Sequence, residues 1–191
     1  MLILNFIVPA CWIIFLLYWI VSAQKAKRTV ETKGLLRGNF YRIFMVIGYT
    51  LYLNPRLPKP FYFLSVHLLS QSTVLIIICD CIVISGLAVA IIARRKLASN
   101  WSGAITFKEN HELITGGIYH YARHPIYTGL ILMFTGTTLF YCSGDTIAAF
   151  IIMIMAIIYK INLEEKMMLE HFPESYPQYK KKVKAVIPFL I

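Results

Sequence analysis

Acidic side chains are scarce in this chain: nine Asp and Glu stand against nineteen Lys and Arg, a formal net charge of +10. Cysteine is sparse too. Cys11, Cys79, Cys81 and Cys142 all fall inside apolar runs, with no Cys-x-x-Cys and no His at ligand spacing. Neither a zinc site nor a disulfide framework is supported, and no metal is expected. No Gly-x-Gly occurs, which argues against a soluble Rossmann-type site. No internal repeat is visible either, and a transporter often shows one.

What the sequence has in quantity is apolar length. With 58% hydrophobic residues among 191 and a mean hydropathy of +0.65, it carries more apolar surface than an aqueous fold can hide, so an integral membrane protein is expected. Five runs approach the ~20 residues a spanning helix needs: 2–22, 39–53, 69–93, 126–142 and 146–161. Tyr41, Arg42, Gly48, Tyr49 and Tyr52 interrupt the second, leaving it a span or an interfacial hairpin arm. Val21-Ser22-Ala23 looks like a signal-cleavage site, but the first run lacks a basic leader and its apolar core is too long, so it is read as a retained helix.

Lys and Arg number six over 23–42, two over 54–70, five over 94–125 and six from 160 onward. Seventeen thus fall on one side. The positive-inside rule then predicts the N-terminus outside, the C-terminus cytoplasmic and five crossings between. Because the basic residues flank helix ends or lie in Lys180-Lys181-Lys182-Val183-Lys184, membrane lipids rather than nucleic acid are the expected electrostatic partner. The fold class predicted is all-α integral membrane, with about five transmembrane helices, a cytoplasmic loop and a C-terminal helical segment.

The two halves differ in kind. Residues 1–100 read as a transmembrane scaffold, broken by the turn Asn54-Pro55-Arg56-Leu57-Pro58-Lys59-Pro60. Asp80, alone in the third run, must face a partner or a cavity, as a polar clasp or in a substrate or proton role. Residues 101–191 hold most of the reactive side chains and are expected to carry the chemistry. Residues 104–125, with Gly116-Gly117 and no helical period, predict an ordered cytoplasmic loop. Pro125 suits the first turn of a helix and pushes His124 into an extended conformation, so Arg123 and His124 sit at the helix mouth. The fifth run continues unbroken into Tyr159-Lys160-Ile161-Asn162-Leu163-Glu164-Glu165-Lys166, putting Lys160 and Glu164 one turn apart on one face. That spacing fits an ordinary surface ion pair as well as a site. Phe172-Pro173 ends the helix, and the tail reads as a lid or clasp on the loop.

His111-Glu112-Leu113-Ile114-Thr115-Gly116-Gly117-Ile118-Tyr119, then Arg123-His124-Pro125-Ile126-Tyr127-Thr128-Gly129, then Glu164-Glu165 and Tyr176-Pro177-Gln178-Tyr179-Lys180-Lys181-Lys182-Val183 resemble, in order and spacing, the isoprenylcysteine carboxyl methyltransferase family. The resemblance covers roughly 100–191. Arg-His-Pro-x-Tyr by itself is shared with phospholipid methyltransferases and sterol reductases of the same wider group. The resemblance implies S-adenosylmethionine as cofactor and a lipophilic, isoprenylcysteine-like acceptor entering from the bilayer. It implies cofactor contacts at His111, Leu113, Ile114, Tyr119, His124, Pro125, Tyr127 and Glu164, and catalytic roles for Lys160 and Arg123. Lys160 stands where the family usually has Arg, a departure that touches acceptor identity because Lys lacks the bidentate fork. The helix N-terminus at Pro125 suits a carboxylate, Glu164 an ammonium, and Tyr rings a sulfonium or adenine.

Three other readings compete. In the first, the acceptor would instead be a phospholipid amine or another small lipophilic molecule, and an amine would require a base such as His120 or His124. A sterol-reductase-like enzyme would bind NADPH instead, and binding assays separate the two cofactors. A non-catalytic membrane protein would use the loop only as an interfacial anchor, against which stands the clustering of His, Tyr and Glu in one half.

Overall fold

A computed structural model describes residues 4–24, 29–32, 43, 47, 72–101, 106–108 and 112–186. The run at 39–53, apart from positions 43 and 47, and His111 lie outside the described residues. Helix α1 spans Leu4–Ala23, α2 Thr73–Leu97, α3 Pro125–Tyr141, α4 Gly144–His171 and α5 Ser175–Lys182. Three of these helices are long and apolar enough to cross a membrane: α1, α2 and α4. At 17 residues, α3 is shorter than the ~20 a full crossing takes. The protein is an integral membrane protein, and its described residues form helices apart from one small strand pair.

The starts of α2, α3 and α4 each have a local cause. Ser72 caps α2, its side chain accepting from Leu75 N. Pro125 occupies the first turn of α3, as its spacing predicts. Ser143 and Thr146 form a reciprocal capping box at the start of α4. The predicted continuity of the fifth run holds: α4 proceeds without interruption to His171.

Packing follows small residues more than a polar and an apolar face. On α2 the buried positions Ile76, Cys79, Val83, Gly86, Ala90 and Ala93 recur every three or four residues, and this stripe lies along α3. A Cβ on Gly86 would stand 2.6 Å from the Gly129 carbonyl oxygen, and one on Gly129 2.6 Å from that of Gly86. The two backbones are therefore in direct contact, the arrangement that favours glycine between helices in lipid. On α1, Val8, Cys11 and Phe15 are buried while Phe6, Ile13, Leu17 and Ile20 remain exposed, as a helix apolar all round does when lipid covers its outer face. Trp12 Nε1 donates to Thr137 Oγ1 at 3.0 Å, tying α1 to α3.

Two findings depart from the sequence reading. Within the predicted loop, Thr106–Lys108 (β2) pairs antiparallel with Thr29–Thr32 (β1), Thr29 facing Lys108 and Thr32 facing Thr106. Stretches this short carry no readable alternation. The pairing brings the connectors after α1 and α2 together. Asp80 is 3% exposed, and neither of its carboxylate oxygens has a hydrogen-bond partner among the described residues.

Candidate active site

The site is built where α3 begins, against the inner length of α4 and beneath the tail. Its approach is the extended stretch 112–115, a turn at Gly117 with φ +65°, and a short 3₁₀ turn over Gly117–His120. Leu113 packs on the cluster of Tyr176, Tyr179 and Val183, and Ile114 on the main core. Tyr119 is buried, its hydroxyl donating to the Ala93 carbonyl at 3.4 Å, while its own carbonyl accepts from Tyr179 Oη at 2.5 Å. Burial first, then the negative charge of Glu164, pushes the Tyr119 hydroxyl well above its usual range, so it stays a neutral donor. Burial raises the Tyr179 hydroxyl to about 12 despite the opposing charge of Arg123.

His124 precedes α3 and supplies no side-chain cap, leaving its ring to face α4. Nδ1 lies 3.6 Å from Glu164 Oε2 and Nε2 3.4 Å from Glu165 Oε1. Pro125 is fully buried behind it. Tyr127, in the first turn of α3, donates to Glu164 Oε1 at 2.6 Å. Lys160 Nζ lies 3.8 Å from the same oxygen and 5.5 Å from the centre of the Tyr127 ring. With its side chain only 10% exposed against 23% for Glu164, Lys160 is no surface partner. The pair stands inside the protein, with Glu164 the more open member.

The adjacent carboxylate does something else. Glu165 accepts from Arg123 Nε at 3.0 Å and Nη2 at 2.5 Å, and from Lys180 Nζ at 2.5 Å. Arg123 Nη1 also donates to the carbonyls of Val183 and Lys180. Arg123, for which a catalytic role is expected, is held in the joint between α4 and the tail. The same joint continues along the backbone: the N–H groups of Arg123 and His124 donate to the carbonyls of Lys184 and Ala185, each at 2.8 Å, and Thr128 Oγ1 donates to the Val186 carbonyl at 2.6 Å. Through these bonds the described residues at 183–186 lie against the start of α3.

Of the residues singled out from sequence, His124, Pro125, Tyr127, Lys160 and Glu164 converge directly, and Tyr119 lies beside them. Leu113 and Ile114 line the approach through separate packing contacts. His120, weighed as a base, is exposed and packs edge-on against Tyr121. Glu165 and Lys180 are the site residues to which sequence reasoning gave no role. Glu165 stood in the motif beside Glu164, whereas Lys180 looked like any member of the basic tail. Among the described residues no group of three or more His, Cys, Asp or Glu is placed to hold a metal.

The donor set suits a cation of modest size. Glu164 offers a partly open carboxylate to an ammonium, and Tyr127 presents a ring face. The expected anion site at the start of α3 is largely taken up within the protein: Pro125 has no N–H, that of His124 donates to the Ala185 carbonyl, and those of Tyr127 and Thr128 donate to the His124 carbonyl. A model of the phospholipid methyltransferase family matches residues 74–175, more than half of the chain, including all of α3 and α4 and all but the first residue of α2. The chain is similar to a probable protein-S-isoprenylcysteine O-methyltransferase of Oryza sativa subsp. indica, 32% identical over 115 residues that make up 55% of this chain and 60% of the relative. It is similar to the protein-S-isoprenylcysteine O-methyltransferase of Saccharomyces cerevisiae, 31% identical over 125 residues, 63% of this chain and 52% of the relative. It spans between half and two thirds of the length of these relatives. The solved eukaryotic intramembrane Ras methyltransferase, an isoprenylcysteine carboxyl methyltransferase, aligns with a TM-score of 0.55 and 24% identity over 78% of this chain and 52% of that one. At that identity the likeness is one of fold.

Proposed function

The chain belongs to the phospholipid methyltransferase family, and from that premise we propose that it is an S-adenosylmethionine-dependent carboxyl O-methyltransferase acting on a lipophilic, isoprenylcysteine-like acceptor. The observation that carries this reading is the buried Lys160 cation, 3.8 Å from Glu164 and beside the Tyr127 ring. A cation buried at the site attracts an acceptor carboxylate and repels an ammonium, which weighs against an amine acceptor. The names of the curated relatives support the same choice.

When bound, S-adenosylmethionine supplies a methyl group activated by its sulfonium. Glu164, oriented by Tyr127, would hold the ammonium; Tyr119, Leu113 and Ile114 would border the adenosyl portion, with His111 assigned there by resemblance alone. Pro125 sets the α3 start, and His124 spans the two carboxylates. A carboxylate acceptor is ionised near neutral pH and needs no general base. Catalysis then rests on position and on excluding water. Lys160 would orient the acceptor carboxylate. Arg123 becomes a positioning residue that fixes Glu165 and the tail.

The acceptor would come sideways from the bilayer, and the charge bias places the site and C-terminus in the cytoplasm with the N-terminus outside. Every described residue of the cluster lies between 113 and 186, which supports 101–191 as the catalytic half and 1–100 as scaffold. Calorimetric titration of purified protein with S-adenosylhomocysteine tests the cofactor assignment. Saturable binding supports it, whereas binding of NADPH in its place would overturn it.

A further inference from the structure

Away from this site, a cavity of about 530 Å³ opens where the C-terminal ends of α1 and α2 meet, lined by Tyr18, Val21, Ser22, Arg94, Arg95 and Ser99 among others. None of these residues belongs to the cluster around Glu164 and Glu165. Arg94 is 2% exposed. Its Nη1 donates to the Ala98 carbonyl and its Nη2 to the Ser22 carbonyl, each at 2.6 Å, and its guanidinium carbon lies 4.3 Å from the centre of the Trp101 ring. These contacts join the ends of the two helices, but they do not complete the group. A guanidinium carries five N–H donors, two carbonyls take one each, and the buried Nε has no partner among the described residues. Both acceptors are neutral, so among the described residues the buried charge has no counter-anion, an arrangement costly at the edge of hydrocarbon.

The surroundings indicate which anion would complete it. Arg95 adds a second, exposed guanidinium to the wall, and Tyr18, Ser22 and Ser99 add hydroxyls. Two guanidinium forks suit phosphate oxygens. Beside the cavity, Ile20, Val21 and Ile92 are 64%, 60% and 54% exposed, an apolar flank continuous with the lipid-facing sides of α1 and α2. Tyr18, Trp19 and Trp101 gather at the same level, where aromatic residues mark a membrane interface. A free phosphate would use the guanidinium groups and leave that flank idle. We propose that this cavity binds the headgroup phosphate of an anionic phospholipid, with Arg94 and Arg95 on the phosphate and the acyl chains along Ile20, Val21 and Ile92.

Native mass spectrometry of the detergent-purified full chain, titrated with phosphatidylglycerol or with phosphatidylcholine of the same acyl chains, tests this. The expected result is one phosphatidylglycerol retained about tenfold more tightly than phosphatidylcholine, whose own ammonium offsets the phosphate charge and is repelled by the two guanidinium groups. Arg94→Gln and Arg95→Gln should each reduce that preference to near unity. Arg95 is exposed, so Arg95→Gln with unchanged helical circular dichroism remains decisive if Arg94→Gln fails to fold. Equal retention of the two lipids by the unaltered protein, or an undiminished preference in Arg95→Gln, would overturn the proposal. Full displacement of phosphatidylglycerol by about 1 mM inorganic phosphate would also overturn it, because a phosphate site indifferent to acyl chains is not a lipid site.

Discussion

Tyr127 in the first turn of α3 donates its hydroxyl hydrogen to Glu164 Oε1 at 2.6 Å, while Lys160 approaches the same oxygen to 3.8 Å from one turn back along α4. A residue of α3 and one of α4 thus meet at one carboxylate oxygen, which leaves the other oxygen to a ligand or to His124.

Substitution separates the roles of the two charged residues. Glu164→Gln keeps the shape and removes the charge, and should weaken S-adenosylhomocysteine binding by about 1.5–3 kcal/mol, roughly ten- to a hundredfold. Lys160→Met should leave that affinity nearly unchanged while lowering turnover, and Lys160→Arg, with its planar fork, should preserve or improve turnover on a prenylcysteine. Equal losses of cofactor affinity in Glu164→Gln and Lys160→Met, read by calorimetry, would mean that the pair only stiffens α4.

Glu165 should behave as a structural joint. Removing one side of a buried ion pair leaves the other uncompensated, so Glu165→Ala should lower stability by about 3–5 kcal/mol. Lys180 is 43% exposed at its side chain, and Lys180→Met should cost no more than about 1 kcal/mol. Thermal unfolding in detergent measures both, and equal shifts would remove the distinction between the buried and the exposed partner.

The contact between Gly86 and Gly129 should tolerate no added carbon. Either glycine replaced by Ala brings a methyl group onto the facing backbone, and the α2–α3 pair must separate at a cost of about 1–3 kcal/mol. Gly116, with open space around its Cα, provides the control: Gly116→Ala should leave the melting temperature close to that of the unaltered protein.

Alkali should loosen the tail. The Tyr179 hydroxyl, buried against the Tyr119 carbonyl, titrates at about 12 rather than near 10. Its neutral form is favoured by folding, so this contribution to stability is complete below pH ~10 and is lost as pH rises from there through about 12. Tyrosinate absorbance should contain a late-titrating component that Tyr179→Phe removes, and an unchanged titration curve in that variant would contradict the assignment.

Much of this was legible in the sequence for identifiable reasons. Pro125 can begin a helix but cannot continue one, so it announced α3 and placed His124 at its mouth. The uninterrupted run from Ile151 to Lys166 announced that α4 leaves the apolar zone as one helix, and so put Lys160 and Glu164 on one face. Glu165 was not legible as a hub, because the two cations it holds, Arg123 and Lys180, come from segments far apart in the chain. Lys180 could not be told from Lys181 or Lys182 before the phase of α5 was known. The β1–β2 pairing involves stretches too short for alternation to register, and Gly86 meets Gly129 only after the chain has turned back on itself. Arg94 reads as a basic residue at a helix end until its burial is seen.

The nature of the transferred product tests the central claim most directly. Protein reconstituted in lipid is supplied with methyl-labelled S-adenosylmethionine, a prenylcysteine and phosphatidylethanolamine, and the products are treated with mild alkali. A carboxyl methyl ester hydrolyses under these conditions and releases its label as volatile methanol, whereas an N-methyl group is stable. The expected result is alkali-labile label that depends on the prenylcysteine and is lost in Glu164→Gln. Alkali-stable label in the phospholipid, with none in the prenylcysteine, would contradict it.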